Sequence, residues 1–194
     1  NYDFTRAAVI AMGNISMQLE KYQNAVNLYS DALQLTKNNS SAASNLKVEY
    51  YNLGFAFARL NQIEKSNVYF ELAAKRTENE NDEILLGRIY GGLLENYSKL
   101  NNNAKRLLYQ QKVNSIAEKK NNHQLLASGY SNMMKWSLLE NNPTKAVEYG
   151  QKSIEKLKQF PVKQLEIIVD SMMYVALKTL KRNEEALSYL ESFE

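Results

Sequence analysis

The chain has 194 residues, a formal net charge of +3, 23% charged and 44% apolar residues, and a mean hydropathy of −0.50. This balance fits a folded domain or a short repeat array and excludes a disordered tail, and no run of 18 apolar residues is present to cross a bilayer. With 0 Cys and 1 His, disulfides, thiol catalysis, Cys-ligated zinc and most histidine-based metal sites or triads are excluded, and 7 Gly with 2 Pro are too few for a turn-rich β sandwich or barrel.

Apolar spacing predicts ten helices, over 5–18, 22–37, 45–60, 62–77, 82–100, 102–120, 122–140, 143–159, 162–180 and 183–193. In the second, Tyr22, Ala25, Val26, Tyr29, Ala32 and Leu33 form one stripe at helical spacing. Ile168, Met172, Val175, Ala176, Thr179 and Leu180 form a similar stripe in the ninth. Apolar residues do not alternate with polar ones, so strands are not expected. Pro143 and Pro161 stand at helix starts, where a missing N–H costs nothing, and Asn142 is a good N-cap. The acidic run from Glu78 to Glu83 falls at the expected start of the fifth helix, where the helix dipole favours negative charge. Residues 38–44 form the one linker-like stretch.

Helix-ending turns recur at a fixed period. LEKYQNA from Leu19, LNQIEKS from Leu60, LNNNAKR from Leu100, ENNPTKA from Glu140 and LKRNEEA from Leu180 start 41, 40, 40 and 40 residues apart. Their seventh residues are Ala25, Ser66, Arg106, Ala146 and Ala186, followed four residues on by Tyr29, Phe70, Gln110, Gly150 and Leu190. A period of this length is the mark of stacked helical hairpins, none of which can bury its apolar stripe alone.

This pattern resembles the tetratricopeptide repeat family in a long, 40-residue variant. The resemblance is strongest in the second unit, with Leu53 and Gly54 in the first helix and Ser66, Phe70 and Ala73 in the second. The first unit carries Met12, Gly13, Ala25, Tyr29 and Ala32. The third departs from it, with Arg106 in the small slot and Gln110 in the aromatic one. The resemblance implies an all-α, right-handed superhelix of about five antiparallel hairpins, with units near 5–37, 45–77, 82–120, 122–159 and 162–193 in one domain. A small residue in each second helix would let its hairpin close, and the aromatic would fill the space toward the next hairpin.

Catalysis has little to work with. There is no Gly-rich phosphate loop, and Gly87, Gly91 and Gly92 lie mid-helix with no strand before them. They are expected to allow close helix packing or a kink. His123 is expected to cap a helix or lie on the surface. No carboxylate is expected within an apolar stripe, so no tuned acid is expected either. The first half of the chain carries a charge of −2 and the second +5, without a basic cluster, so neither cofactor nor direct nucleic-acid binding is expected.

What remains is binding. By family geometry the first helices line a concave face, which would carry Asn14, Tyr51, Asn52, Phe55, Arg59, Arg88, Glu95, Ser131 and Lys135 among others. Tyr51, Phe55 and Arg59 share one helix face at i, i+4 and i+8, and aromatics with arginine are the usual anchors of interfaces. Asn14, Asn52 and Arg88 match three slots of chaperone-type carboxylate clamps, but Ile10 and Gly92 hold the other two, so a clamp is not expected. The resemblance implies a peptide- or protein-binding module, most of all the sensory or regulatory region of a bacterial signalling or transcription regulator. A passive assembly scaffold is the alternative. The chain starts at Asn1 and stops at Glu194 within a helical pattern, so a fragment of a longer protein is expected. Its uncapped last hairpin is expected to dimerise or to be followed by further repeats. The cytoplasm is the expected compartment, with the periplasmic part of a membrane-anchored regulator as the other.

Overall fold

A computed structural model describes residues 2–39, 46–80 and 82–189 of the chain. All regular structure among them is helical: α1 (Tyr2–Gln18), α2 (Tyr22–Asn38), α3 (Lys47–Arg59), α4 (Ile63–Thr77), α5 (Glu83–Lys99), α6 (Asn103–Lys119), α7 (His123–Leu139), α8 (Pro143–Gln159), α9 (Lys163–Thr179) and α10 (Asn183–Ser188). Helix α1 starts three residues earlier than the sequence pattern predicts. The last residues of the tenth expected helix lie outside the described ones, as do residues 40–44 of the expected linker. Consecutive helices pack as hairpins, α1 on α2, α3 on α4, α7 on α8 and α9 on α10. Tyr97 of α5 stacks on Tyr109 of α6 with ring centroids 5.6 Å apart. The chain forms two compact units, Asn1–Tyr109 and Gln110–Glu194, with the boundary inside α6.

The turns are one motif used six times. Glu20, Asn61, Asn101, Asn121, Asn141 and Lys181 all have φ between 50° and 60°. Around Asn61, its own N–H donates to the Ala58 carbonyl at 3.1 Å and that of Gln62 donates to the Phe57 carbonyl at 2.9 Å. This is the Schellman arrangement, and the same pair of bonds recurs at the other five positions. Asparagine tolerates the left-handed region better than other residues that carry a Cβ. The following Asn then caps the next helix: the Oδ1 atoms of Asn102, Asn122 and Asn142 accept from the N–H groups of Lys105, Leu125 and Lys145 at 3.0–3.2 Å. A 17-residue helix plus a three-residue turn sets the repeat. Asn122 thus caps α7 and His123 is the first helical residue, half-buried.

The recurring slots are packing devices. Ala25, Ser66, Ala146 and Ala186 are fully buried. A Cβ on Gly13 would lie 2.4 Å from the Tyr29 ring, and one on Gly54 2.7 Å from the Phe70 ring, so each ring lies flat on a first helix that has no side chain there. Gly92 meets the other side of Phe70 in the same way, at 2.6 Å. Gly91 faces open space. Where Gly150 replaces the aromatic, the sulfurs of Met134 and Met173 occupy its place at 3.0 and 2.4 Å from a would-be Cβ. In the third unit Arg106 is buried, and the amides of Gln110 and Asn114 pack on Gly129.

Two expectations about charge are corrected. Glu49 sits in an apolar stripe and is 0% exposed. Its Oε1 accepts from Arg6 Nε of α1 at 2.5 Å and lies 2.7 Å from the Thr36 hydroxyl of α2. The ion pair therefore ties α1, α2 and α3 together. The acidic run does not simply load the start of α5. Glu78–Glu80 form a 3-10 turn after α4, where Glu80 pairs with Lys47 at 2.6 Å and Glu78 accepts from the Tyr90 hydroxyl. Asp82 caps α5 through Leu85 N–H at 3.1 Å.

Removing Arg6, whose side chain is 24% exposed, strands the fully buried Glu49 carboxylate. Arg6→Met should destabilise the fold by at most about 3–5 kcal/mol, the range for a fully buried pair. The double variant Arg6→Met with Glu49→Leu should recover most of the loss, as read from denaturant midpoints. In the turns, Asn141→Gly should hold or raise the melting temperature, whereas Asn141→Val should lose about 1–2 kcal/mol by forcing a β-branched residue into the left-handed region.

Candidate functional site

Three helices of the first unit enclose a cavity of about 370 Å³. Helix α3 contributes Tyr51, Phe55 and Arg59, helix α4 contributes Phe70, and helix α5 contributes Arg88 and Glu95. The shared face of α3 follows from the 100° step per residue, which brings i, i+4 and i+8 into one line. The two glycines against Phe70 let α3 and α5 close on its ring, so the ring forms an apolar floor. Tyr51 stacks on Phe55 at 6.3 Å and 11°, and tilts on Phe70 at 6.0 Å and 44°. Phe55 keeps 45% of its surface open.

The rim is cationic. Arg59 donates to the Tyr22 hydroxyl at 2.9 Å and lies over that ring, which fixes its direction. Arg88 is exposed. Lys99 pairs with Glu95 at 2.7 Å, one helical turn apart, leaving the two arginines as the net charge of the lining. Asn96 also lines the cavity and is 1% exposed. Its amide donates to Ser66 Oγ and Asn67 Oδ1 at 2.7 and 2.8 Å, while its own Oδ1 accepts no hydrogen bond.

Five residues expected from the sequence meet here: Tyr51, Phe55, Arg59, Arg88 and Glu95. Asn14 and Asn52 are not among the lining residues. Asn14 accepts from the Tyr29 hydroxyl at 2.7 Å and Asn52 is half-buried on α3. Lys135 is exposed on α7 of the second unit. Ser131, expected on the open face, is buried. Phe70 and Asn96 belong to the cavity but were not among the expected residues. The periodic aromatic slot pointed to Phe70 as a packing residue only, and nothing in the pattern marked Asn96.

Residues 8–39 match the family model described as tetratricopeptide repeat. The chain carries a tetratricopeptide repeat. The likeness to solved tetratricopeptide-type structures extends over nearly all of it. The apo form of RapI superposes with a TM-score of 0.77 at 14% identity, over 94% of this chain and 51% of that one. The quorum sensor NprR from B. thuringiensis gives 0.67 at 14%, over 98% and 53%. A STAND signal-transduction ATPase with a tetratricopeptide repeat sensor, from Pyrococcus horikoshii, gives 0.70 at 21%, over 97% and 29%. The chain thus spans about half the length of RapI and NprR. At these identities the likeness shows the fold alone. No curated protein matches the chain in sequence.

Among the described residues of this tetratricopeptide fold, no group of three or more His, Asp or Glu could hold a metal. No described helix is long and apolar enough to cross a membrane. Tyrosines dominate the perturbed groups. Burial, and then the neighbouring Tyr51, push the Tyr29 hydroxyl up to about 12. Burial also raises Tyr51, against the opposing field of Arg88. These hydroxyls ionise less readily in the fold than in the unfolded chain, so their contribution to stability is complete below pH 10. It is lost as pH rises through about 12 for Tyr29. Denaturant midpoints should therefore hold to about pH 9 and fall steeply above pH 10, less so in Tyr29→Phe. A flat profile to pH 11.5 would contradict this.

Proposed function

We propose that the chain is a peptide- or protein-binding tetratricopeptide module whose ligand enters the cavity between α3 and α5. The aromatic floor beside a cationic rim is the observation that supports this most. It combines an apolar anchor pocket with orienting charges, the usual make-up of a recognition site. Glu95 and Lys99, the lining groups that could serve as base or nucleophile, pair with each other at 2.7 Å, which favours binding over catalysis. The reading extends to regulation: ligand occupancy would shift α3 against α5 and pass that change to the rest of a bacterial signalling or transcription regulator. The similarity to a STAND ATPase that carries a tetratricopeptide repeat sensor supports the regulatory part, by analogy of fold.

Peptides selected from a random display library on the full chain test this reading. Phe55→Ala, Arg59→Ala and Arg88→Ala together should weaken the selected peptides by about tenfold or more, with the melting temperature nearly unchanged. Addition of such a peptide should also reduce the radius of gyration in solution scattering. Binding unchanged in the triple variant would move the site elsewhere. A large constitutive interface with no change in shape would favour an assembly scaffold.

A further inference from the structure

A second groove runs along the other side of α3. It has a volume of about 540 Å³ and lies between α2 and α4. It shares no lining residue with the cavity described above. At 100° per residue, Tyr50 and Phe57 lie about 130° around the α3 axis from Tyr51 and Phe55. Leu33, Tyr50 and Phe57 make its apolar floor, with Tyr69 stacked on Phe57 at 5.4 Å and 10°. Val68 and Leu72 of α4 stand in its wall, 56% and 39% exposed. A smaller pocket of about 340 Å³ continues it past Tyr50 and Leu72 to Lys75.

The repeat itself shows how unusual this wall is. The positions that correspond to Val68 and Leu72 are Asn27 and Asp31 in the first hairpin, Leu108 and Lys112 in the third, and Glu148 and Lys152 in the fourth. Leu108 is also exposed, at 47%, but only the second hairpin carries apolar residues at both slots of these four, and Glu148 and Lys152 form an i,i+4 ion pair at 3.1 Å. The fold therefore does not need apolar side chains at these slots. Exposed Val and Leu one turn apart, over a stacked aromatic floor, form a surface that water does not favour. Its charges have one sign. Lys37, Lys65 and Lys75 line the groove and its continuation, and no Asp or Glu does. Lys65 lies 5.4 Å over the Phe57 ring, so its charge is held above the apolar floor.

We propose that this groove is a second docking surface, which takes an acidic amphipathic helix of a partner protein. Apolar residues at i, i+3 or i+4 and i+7 of that helix would seat against Phe57, Val68 and Leu72, and its flanking carboxylates would face the three lysines. The surface is distinct from the ligand cavity, so both can be occupied together.

The test uses the full chain and a fluorescent synthetic 16-residue helix of Leu, Ala and Glu, with its leucines on one face. A version with Lys in place of every Glu, and a scrambled version, serve as comparisons. The acidic helix should bind saturably, weaken as salt rises, and exceed both other peptides by about tenfold or more. Val68→Asn with Leu72→Asp grafts the residues of the first hairpin onto the same slots. This graft should lower the affinity of the acidic helix by about tenfold or more, with the melting temperature nearly unchanged. Phe55→Ala should leave it unchanged. Absence of saturable binding, equal binding of the Lys version, or full binding by a folded Val68→Asn, Leu72→Asp chain would each overturn the proposal. Loss of binding in Phe55→Ala would place the helix in the ligand cavity instead and overturn it too. If the graft unfolds the chain, Lys37→Glu with Lys65→Glu replaces it, with the same two outcomes.

Discussion

The first unit depends on one close approach, an aromatic ring laid on a helix backbone. Phe70 of α4 lies between Gly54 of α3 and Gly92 of α5, each so near that a Cβ would sit within 2.7 Å of the ring. One side chain therefore sets the spacing of three helices. A methyl group on either glycine would push a helix outward and open a gap beside the ring, with loss of dispersion contacts on every side. The same ring is the floor of the cavity. Core and site share an atom set, and the cavity keeps its shape because its floor is 1% exposed and held from both sides.

Around that contact, polar groups do what apolar contacts cannot, which is to fix register. Ser66 donates to the Gly54 carbonyl at 2.7 Å within its hairpin and accepts from Asn96 of the next. In the second unit Ser153, at the slot of Ala73 rather than that of Ser66, likewise donates across its hairpin, to the Ala127 carbonyl at 2.8 Å. Apolar faces can slide past one another at little cost, while a buried donor that loses its acceptor cannot. Arg6 and Glu49 act similarly between the first two hairpins.

Much of this was legible in the sequence, because the repeat samples each slot several times. Helix positions, hairpin turns and the small and aromatic slots follow from a period that no single stripe could establish. The shared face of Tyr51, Phe55 and Arg59 follows from helical spacing, and Arg88 and Glu95 join it from the next first helix. The hidden features are those that break the period. Glu49 reads as a surface carboxylate because its partner lies 43 residues away in sequence. Asn96 reads as one asparagine among many. Composition alone does not reveal that four of the six left-handed turn residues are Asn, three of them followed by an Asn that caps the next helix. Gly150 and Gln110 look like defects in the aromatic slot, yet methionines fill the space at one and paired amides the space at the other.

The repeated turn also sets the rotational phase of the chain. Each Schellman turn spends three residues and hands the next helix a fixed starting angle. One residue inserted there would rotate everything downstream by about 100° relative to its buried stripe. Five of the six such turns join the two helices of a hairpin, and the sixth joins α6 to α7. The links from α4 to α5, built on a 3-10 turn, and from α8 to α9, through Phe160 and Pro161, follow no such template. Among the described links, length variation should therefore be tolerated at those two, while the turns stay locked at three residues.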